Sequence, residues 1–241
     1  MIPANGILTL DTETDGVDVF NDHIITAFLG RMGASGRFEQ KLDWLLNPGV
    51  EIPQGAIDVH GITNEHVQAN GRTDIANALV EMWNIIRSEC INGGRPLVAY
   101  NAPFDITLLI EESKRHGVAY LDMNQVNVID PLVIDKGLDK YRKGSRKLVD
   151  VAPVYGVPVE TNAHDAGADC LMAGRVALKQ LAKSRDTLQQ LQARQVAWKL
   201  EQATSLQEYL RRSDPKAVVE PGWPVYGPRT VTFIETEESA A

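Results

Sequence analysis

Asp11 and Glu13 stand two residues apart at the end of an apolar run, in Leu8-Thr9-Leu10-Asp11-Thr12-Glu13-Thr14-Asp15. Side chains alternate faces along a strand, so a strand through Ile7 to Leu10 aims both carboxylates the same way. Two carboxylates side by side repel and cost stability unless something neutralises them. On its own the stretch reads equally well as an exposed strand end before a turn at Asp15-Gly16. Two further acids lie at the edges of expected elements. Asp105, in Asn101-Ala102-Pro103-Phe104-Asp105, falls where a helix should start, and the helix dipole alone would account for it there. Asp169 is less easily dismissed. It shares a helical face with Ala166, Cys170, Ala173 and Ala177, small residues that would let a helix approach a sheet closely. A carboxylate on such a face needs a partner or a metal.

If Asp11, Glu13, Asp105 and Asp169 converge, about four negative charges share one pocket and cannot all stay ionised without compensation. Two divalent cations would balance them, and an all-oxygen donor set suits Mg²⁺ or Mn²⁺ better than zinc. Paired ions of this kind serve phosphodiester cleavage by activating water and stabilising the leaving oxygen. His164 lies five residues before Asp169, about 140° round an ideal helix, so the two would not share a face in mid-helix. It fits a loop or first turn, reaching over the site as a general base. A histidine at a helix start is most often a polar surface residue; its place beside the fourth acid sets it apart.

The elements that must position these residues follow from periodicity. His23 to Leu29 reads as a second strand and Arg37 to Leu45 as a third, with a hairpin loop at Gly33 to Gly36, giving an antiparallel meander. Pro48, Gly49, Pro53 and Gly55 mark a long loop leading to Val59-His60-Gly61-Ile62-Thr63. Ile75, Leu79, Met82, Trp83 and Ile86 predict an amphipathic helix over Asp74 to Cys90. Pro96 to Tyr100 and Val126 to Asp130 are short apolar strands, followed by helices over Phe104 to His116 and Leu132 to Leu138. Lys147 to Tyr155 is expected to be a short helix with Pro153 awkwardly inside it, and Asn162 to Ala182 a long one. Strands first in a meander and then alternating with helices define an α/β fold, a mixed sheet flanked by helices. Past Ser184 the composition turns Gln-rich. Val196, Leu200, Ala203, Leu206 and Leu210 form a stripe on one long helix over Arg185 to Arg212, expected to pack on the main domain, with a homodimer or partner surface as the alternative. The tail from Asp214 carries four prolines; Trp223 and Tyr226 are expected to pin it to the body, and the acidic end from Glu235 to be mobile. The expected division is a main domain over 1–183 and a C-terminal helix with a Pro-rich, partly mobile tail over 184–241.

The chain has 241 residues, 44% of them hydrophobic, enough for a sizeable core in one large domain. A net charge of −8 argues against retention on nucleic acid by bulk charge, though not against an acidic site that carries metal ions. The two cysteines, Cys90 and Cys170, lie in apolar helical segments and read as buried thiols. The N-terminus has no signal-peptide pattern and no apolar run reaches membrane-spanning length, so a cytoplasmic location is expected.

Asp11-Thr12-Glu13-Thr14 after an apolar strand, then Asn101-x-x-Phe104-Asp105, then His164-x-Ala166-x-x-Asp169 occur in that order over one domain. Together they resemble the three motifs of the DEDDh 3′–5′ exonucleases, a family that includes the proofreading epsilon subunit of bacterial DNA polymerase III, ribonuclease T and oligoribonuclease. The resemblance covers Ile7 to Ala182, and Val59 to Thr63 resembles the loop of the epsilon-like branch. It implies a ribonuclease-H-like fold, two metals held by Asp11, Glu13, Asp105 and Asp169, and His164 as general base. Histidine rather than tyrosine at that position favours DEDDh over the DEDDy branch. The implied activity removes nucleotides from single-stranded or frayed 3′ ends, of DNA in preference to RNA, and releases nucleoside 5′-monophosphates. An RNA-trimming exoribonuclease and a subunit that works only with a DNA polymerase are the alternatives. Thr12, Thr14, His60, Ile62, Thr63, Asn101 and Phe104 are the candidate substrate contacts, with the apolar residue of the loop wedging against a base. A phenylalanine before a helix, such as Phe104, more often fills the core, and Asn101 is placed to orient the turn that carries Asp105. Six basic residues from Lys136 to Lys147 are the concentrated positive stretch of this acidic chain and are expected to meet phosphates.

Overall fold

The computed structural model describes residues 3–159 and 166–227. Strands β1 (Ile7–Thr14), β2 (Ile24–Met32) and β3 (Phe38–Leu45) form the meander. Strands β4 (Leu97–Val98) and β5 (Val128–Ile129) add in parallel to the other side of β1, giving the order β3-β2-β1-β4-β5. The expected mixed sheet is present. β1 is longer than its apolar run: pairing with β2 continues through Asp11 opposite Phe28 and Glu13 opposite Thr26, so both acids lie inside the strand. A bulge between Glu13 and Thr14 then breaks the ladder, a common way to re-aim a strand end beside a site.

The alternation of β1 sorts two layers. Leu8 and Leu10 enter a core built with helices α3 (Ile75–Ile86) and α4 (Ala102–Arg115), whereas Ile7 packs on α7 (described over Ala166–Lys183). α3 continues into a π-helical turn at Arg87–Asn92, and α5 (Pro131–Leu138) follows β5. α6 (Leu148–Val151) passes into a 3₁₀ turn, Ala152–Tyr155, with Pro153 in its first turn, where a missing N–H costs nothing. The expected long loop before Ile75 is instead two short helices, α1 (Gln54–His60) and α2 (Asn64–Asn70). Gly61 separates them at φ 74°, and the Thr63 side chain caps α2 by accepting from the His66 amide. Cys90 and Cys170 are both buried free thiols, as their surroundings in the sequence suggest. Among the described residues no helix is long and apolar enough to cross a membrane.

Helix α8 (Leu188–Leu210) opens on a capping box in which Thr187 and Gln190 bond reciprocally. It packs on the body by only part of the predicted stripe. Ala203 is buried and Val196 touches the core, whereas Leu200 and Leu206 are about half exposed, at 54% and 47%. The docking face is mixed: Leu188, Leu191, Val196 and Trp198 pack on the core, and glutamines lie between them. Gln192 accepts from the Val128 amide at 2.8 Å. Gln195 accepts from the Asp130 amide at 2.7 Å and donates to the Val128 carbonyl at 3.0 Å. β5 is the edge strand, and these glutamines satisfy backbone groups that a sixth strand would otherwise meet. Beyond α8, Trp223 is buried in the main core and the Tyr226 amide donates to Thr107 Oγ1 at 2.8 Å, so the tail is pinned as far as it is described. The acidic end from Glu235 lies outside the described residues.

Replacing Gln195 with leucine keeps the volume and strands one donor and one acceptor of the edge strand. Gln195→Leu should lower stability by about 2 kcal/mol or more, measured by urea denaturation.

Candidate active site

β4 stops pairing with β1 at Thr9 opposite Val98, so the Thr12 amide has no strand beside it. Asp105, in the first turn of α4, fills that place. Its Oδ1 accepts from the Thr12 amide at 3.0 Å and from the Thr12 hydroxyl at 2.7 Å. The turn that delivers Asp105 is held by Asp130, the N-cap of α5. The carboxylate of Asp130 accepts from the amides of Asn101 and Ala102 as well as from Leu132 and Val133. Asn101 makes the turn at φ 66°, in a left-handed conformation that asparagine tolerates better than most residues. Asp105 is 3% exposed, and burial pushes its carboxyl from 3.8 up to about 7 although the Thr12 hydrogen bonds pull the other way; Asp130 adds to the rise.

On the other side of β1, one oxygen each from Asp11, Glu13 and Asp169 lie within 4.8 Å of one another. The two-residue period places the first pair, and α7 brings the third. Its small face is needed for the approach: a Cβ on Gly174 would stand 2.8 Å from Thr9 Cγ2 and 2.7 Å from Met32 Cε. Cys170 follows Asp169 and is buried. Burial raises its thiol well above the usual value, and the charges of Asp11, Asp105 and Asp169 add to that rise while a hydrogen bond with Thr9 opposes it. Three hard oxygen donors within reach of one ion, without a thiolate or imidazole among them, fit a divalent cation of the Mg²⁺ or Mn²⁺ type.

A cleft of about 440 Å³ opens beside Glu13 and is lined by Phe28, Trp44, His60, Ile62 and His66, with Ala166 and Gly167 at its edge. His60 Nδ1 accepts from the Ile62 amide at 3.0 Å, which leaves Nε2 to carry the ring proton of the neutral form. Of the seven expected substrate contacts, His60 and Ile62 line this cleft. The others are placed differently. Thr12 turns inward to Asp105, the Thr14 hydroxyl bonds the Gly16 carbonyl, and Thr63 caps α2. Asn101 shapes the α4 turn and Phe104 packs against the core. His164 lies outside the described residues. Phe28, Trp44 and His66 escaped the sequence reading because the first two look like ordinary strand residues and the third falls in a supposed loop. Asp130 carried a usable signal, an aspartate directly before the proline that starts a helix.

Residues 8–177 match the family model described as Exonuclease. The uncharacterized exonuclease CP81 of Escherichia phage 186 is 30% identical over 172 residues, covering 68% of this chain and 81% of that protein. The PolC-type DNA polymerase III of Lacticaseibacillus paracasei is 28% identical over 167 residues, 69% of this chain but 11% of the polymerase. The chain thus spans about a tenth of the length of the PolC-type relatives it matches. Among solved structures, Escherichia coli exonuclease I in complex with a dA16 oligonucleotide shares the fold at a TM-score of 0.59 and 20% identity, over 75% of this chain and 41% of that one. An ordered set of acidic motifs on a ribonuclease-H-like sheet is the mark of a metal-dependent nuclease. The chain belongs to the exonuclease family.

A carboxyl whose folded value is raised contributes stability that is present below its unfolded value and lost as pH rises through the folded one. Asp105 moves from 3.8 to about 7, so the metal-free protein should lose this contribution between those limits. Asp105→Asn, which keeps an acceptor for Thr12, should therefore gain stability relative to wild type as pH rises from about 4 to about 8, read by urea denaturation in EDTA. A difference that does not change with pH would contradict the assignment.

Proposed function

We propose that the protein removes nucleotides one at a time from single-stranded or frayed 3′ ends of DNA and releases nucleoside 5′-monophosphates. The observation that carries this reading is the gathering of Asp11, Glu13 and Asp169 within reach of one ion, with Asp105 fixed to Thr12 in the same strand. In this reading Asp11, Glu13, Asp105 and Asp169 hold two Mg²⁺ or Mn²⁺ ions. When bound, such ions supply neutralising charge and Lewis-acid stabilisation of the attacked phosphate and the departing oxygen. His164 takes the proton of the attacking water as general base, and His60 and Ile62 receive the terminal nucleotide in the cleft. Thr12 holds the Asp105 carboxylate in place instead of touching substrate. Residues 1–183 are the exonuclease domain and 184–241 an extension whose helix α8 covers the sheet edge.

DNA is favoured because the matched relatives include a DNA polymerase and the similar fold of exonuclease I was solved with a DNA strand. The PolC likeness also favours a second reading, in which the chain works beside a DNA polymerase. Matched single-stranded DNA, single-stranded RNA and mismatched duplex ends, each with Mg²⁺ or Mn²⁺, test the substrate; faster loss of RNA than DNA would overturn the preference. His164→Ala should lower turnover about a hundredfold or more while circular dichroism stays unchanged. Asp169→Asn should weaken Mn²⁺ binding by calorimetry, and an unaltered titration would remove Asp169 from the ligand set.

A further inference from the structure

The basic stretch from Lys136 to Lys147 is divided by the fold into two groups. Arg142 and Arg146 turn inward, each 2.5 Å from Oδ2 of the buried Asp135, whose Oδ1 accepts from the Tyr155 hydroxyl at 3.1 Å. These two arginines share one carboxylate, Arg146 also donates to the carbonyls of Asp139 and Arg142, and together they shape the segment. Lys140, Lys143 and Lys147 remain exposed. Between them and the arginines stands Tyr141, 86% exposed, with the Lys140 ammonium 5.9 Å from its ring centre. An aromatic ring held in water has no structural use for its position, because folding buries almost none of it.

The segment forms one wall of a groove of about 480 Å³ whose other wall is the C-terminal half of α8. That wall presents a second ring, Tyr209, 64% exposed, with the Arg212 guanidinium 5.6 Å from its centre. Lys140 is paired with Glu201 across the groove. Two open rings, each accompanied by a cation, flank one groove of a chain whose net charge is −8. The groove is also tied to the active site: the Tyr100 hydroxyl donates to the Arg146 carbonyl at 2.6 Å, and Tyr100 directly precedes the turn that carries Asp105.

We propose that this groove is a second contact for single-stranded nucleic acid, taking nucleotides several positions upstream of the 3′ end. Bases stack on Tyr141 and Tyr209, and Lys140 and Lys143 meet phosphates, Lys140 exchanging Glu201 for the strand. Exposed rings with interleaved cations are what a sequence-tolerant single-strand surface requires, because every base has a face to stack and every phosphate a charge to neutralise. A protein partner would be expected to find a centre poor in charge here, whereas Lys136, Lys140, Arg142, Arg146 and Glu201 line the groove beside its rings and Leu206. The inference rests on the exonuclease reading for the direction of the strand, but not for its chemistry.

The test is fluorescence anisotropy in EDTA, where nothing is cleaved, with labelled DNA strands of about 3 and about 15 nucleotides. Wild type should bind the longer strand at least about tenfold more tightly, the gain expected from one or two stacked bases with their phosphates. Tyr141→Ala/Tyr209→Ala should erase most of that length advantage. Lys140→Glu/Lys143→Glu should flatten the salt dependence of binding to the longer strand. These side chains are exposed, so unaltered thermal melts are expected and verify the fold. A length advantage that survives the double tyrosine variant overturns the proposal. So does wild type that binds both strands alike, which would leave the groove to a protein partner. A length advantage lost in the variant, with no 3′ cleavage by wild type in Mg²⁺ or Mn²⁺, would keep the groove and reject the exonuclease reading.

Discussion

Like charges brought together at one end of β1 are the constraint on which the rest of the molecule turns. Asp11, Glu13 and Asp169 place oxygens within 4.8 Å of one another, and Asp105 is tied to the residue between the first two. Nothing in folding alone favours that crowding. It requires scaffolding strong enough to hold the carboxylates together, and the scaffolding is visible as backbone hydrogen bonds. Thr12 gives Asp105 two donors, and Asp130 receives four amides from two helix starts. The small face of α7 lets its backbone come close enough to deliver Asp169.

The same network runs outward to the C-terminal helix. The Asp130 amide donates to Gln195, so the peptide that holds the α4 turn is itself held by α8. A residue of the extension is thus two hydrogen-bonded groups away from the turn that presents Asp105. The extension lies outside the span matched by the exonuclease family, yet it closes the edge of the family's sheet.

Much of this was legible in the sequence because it depends on local periods. Strand alternation placed Asp11 and Glu13 together, and the small residues round Asp169 announced a close helix–sheet contact. The order of strands and helices indicated a mixed sheet. What was not legible depends on where separate elements meet. Proline and glycine before Ile75 suggested a loop, but Pro53 caps a short helix and Gly61 merely separates two of them. The α8 stripe was read from apolar spacing, whereas the helix docks by only part of it and also through Gln192 and Gln195, residues that hydropathy scores as solvent-facing. The hydrogen bond from Thr12 to Asp105 joins residues 93 apart in sequence, which no local pattern announces.

The polar seam between β5 and α8 also bears on how the fold opens. Side-chain amides that mimic a neighbouring strand give direction and register but little apolar area, so their hold is weaker than that of a packed core. Amide exchange at Val128 and Asp130 would report departures of the helix that leave the central strands closed. Each departure would release one support of the Asn101 turn, linking the motions of a remote helix to the rigidity of the carboxylates.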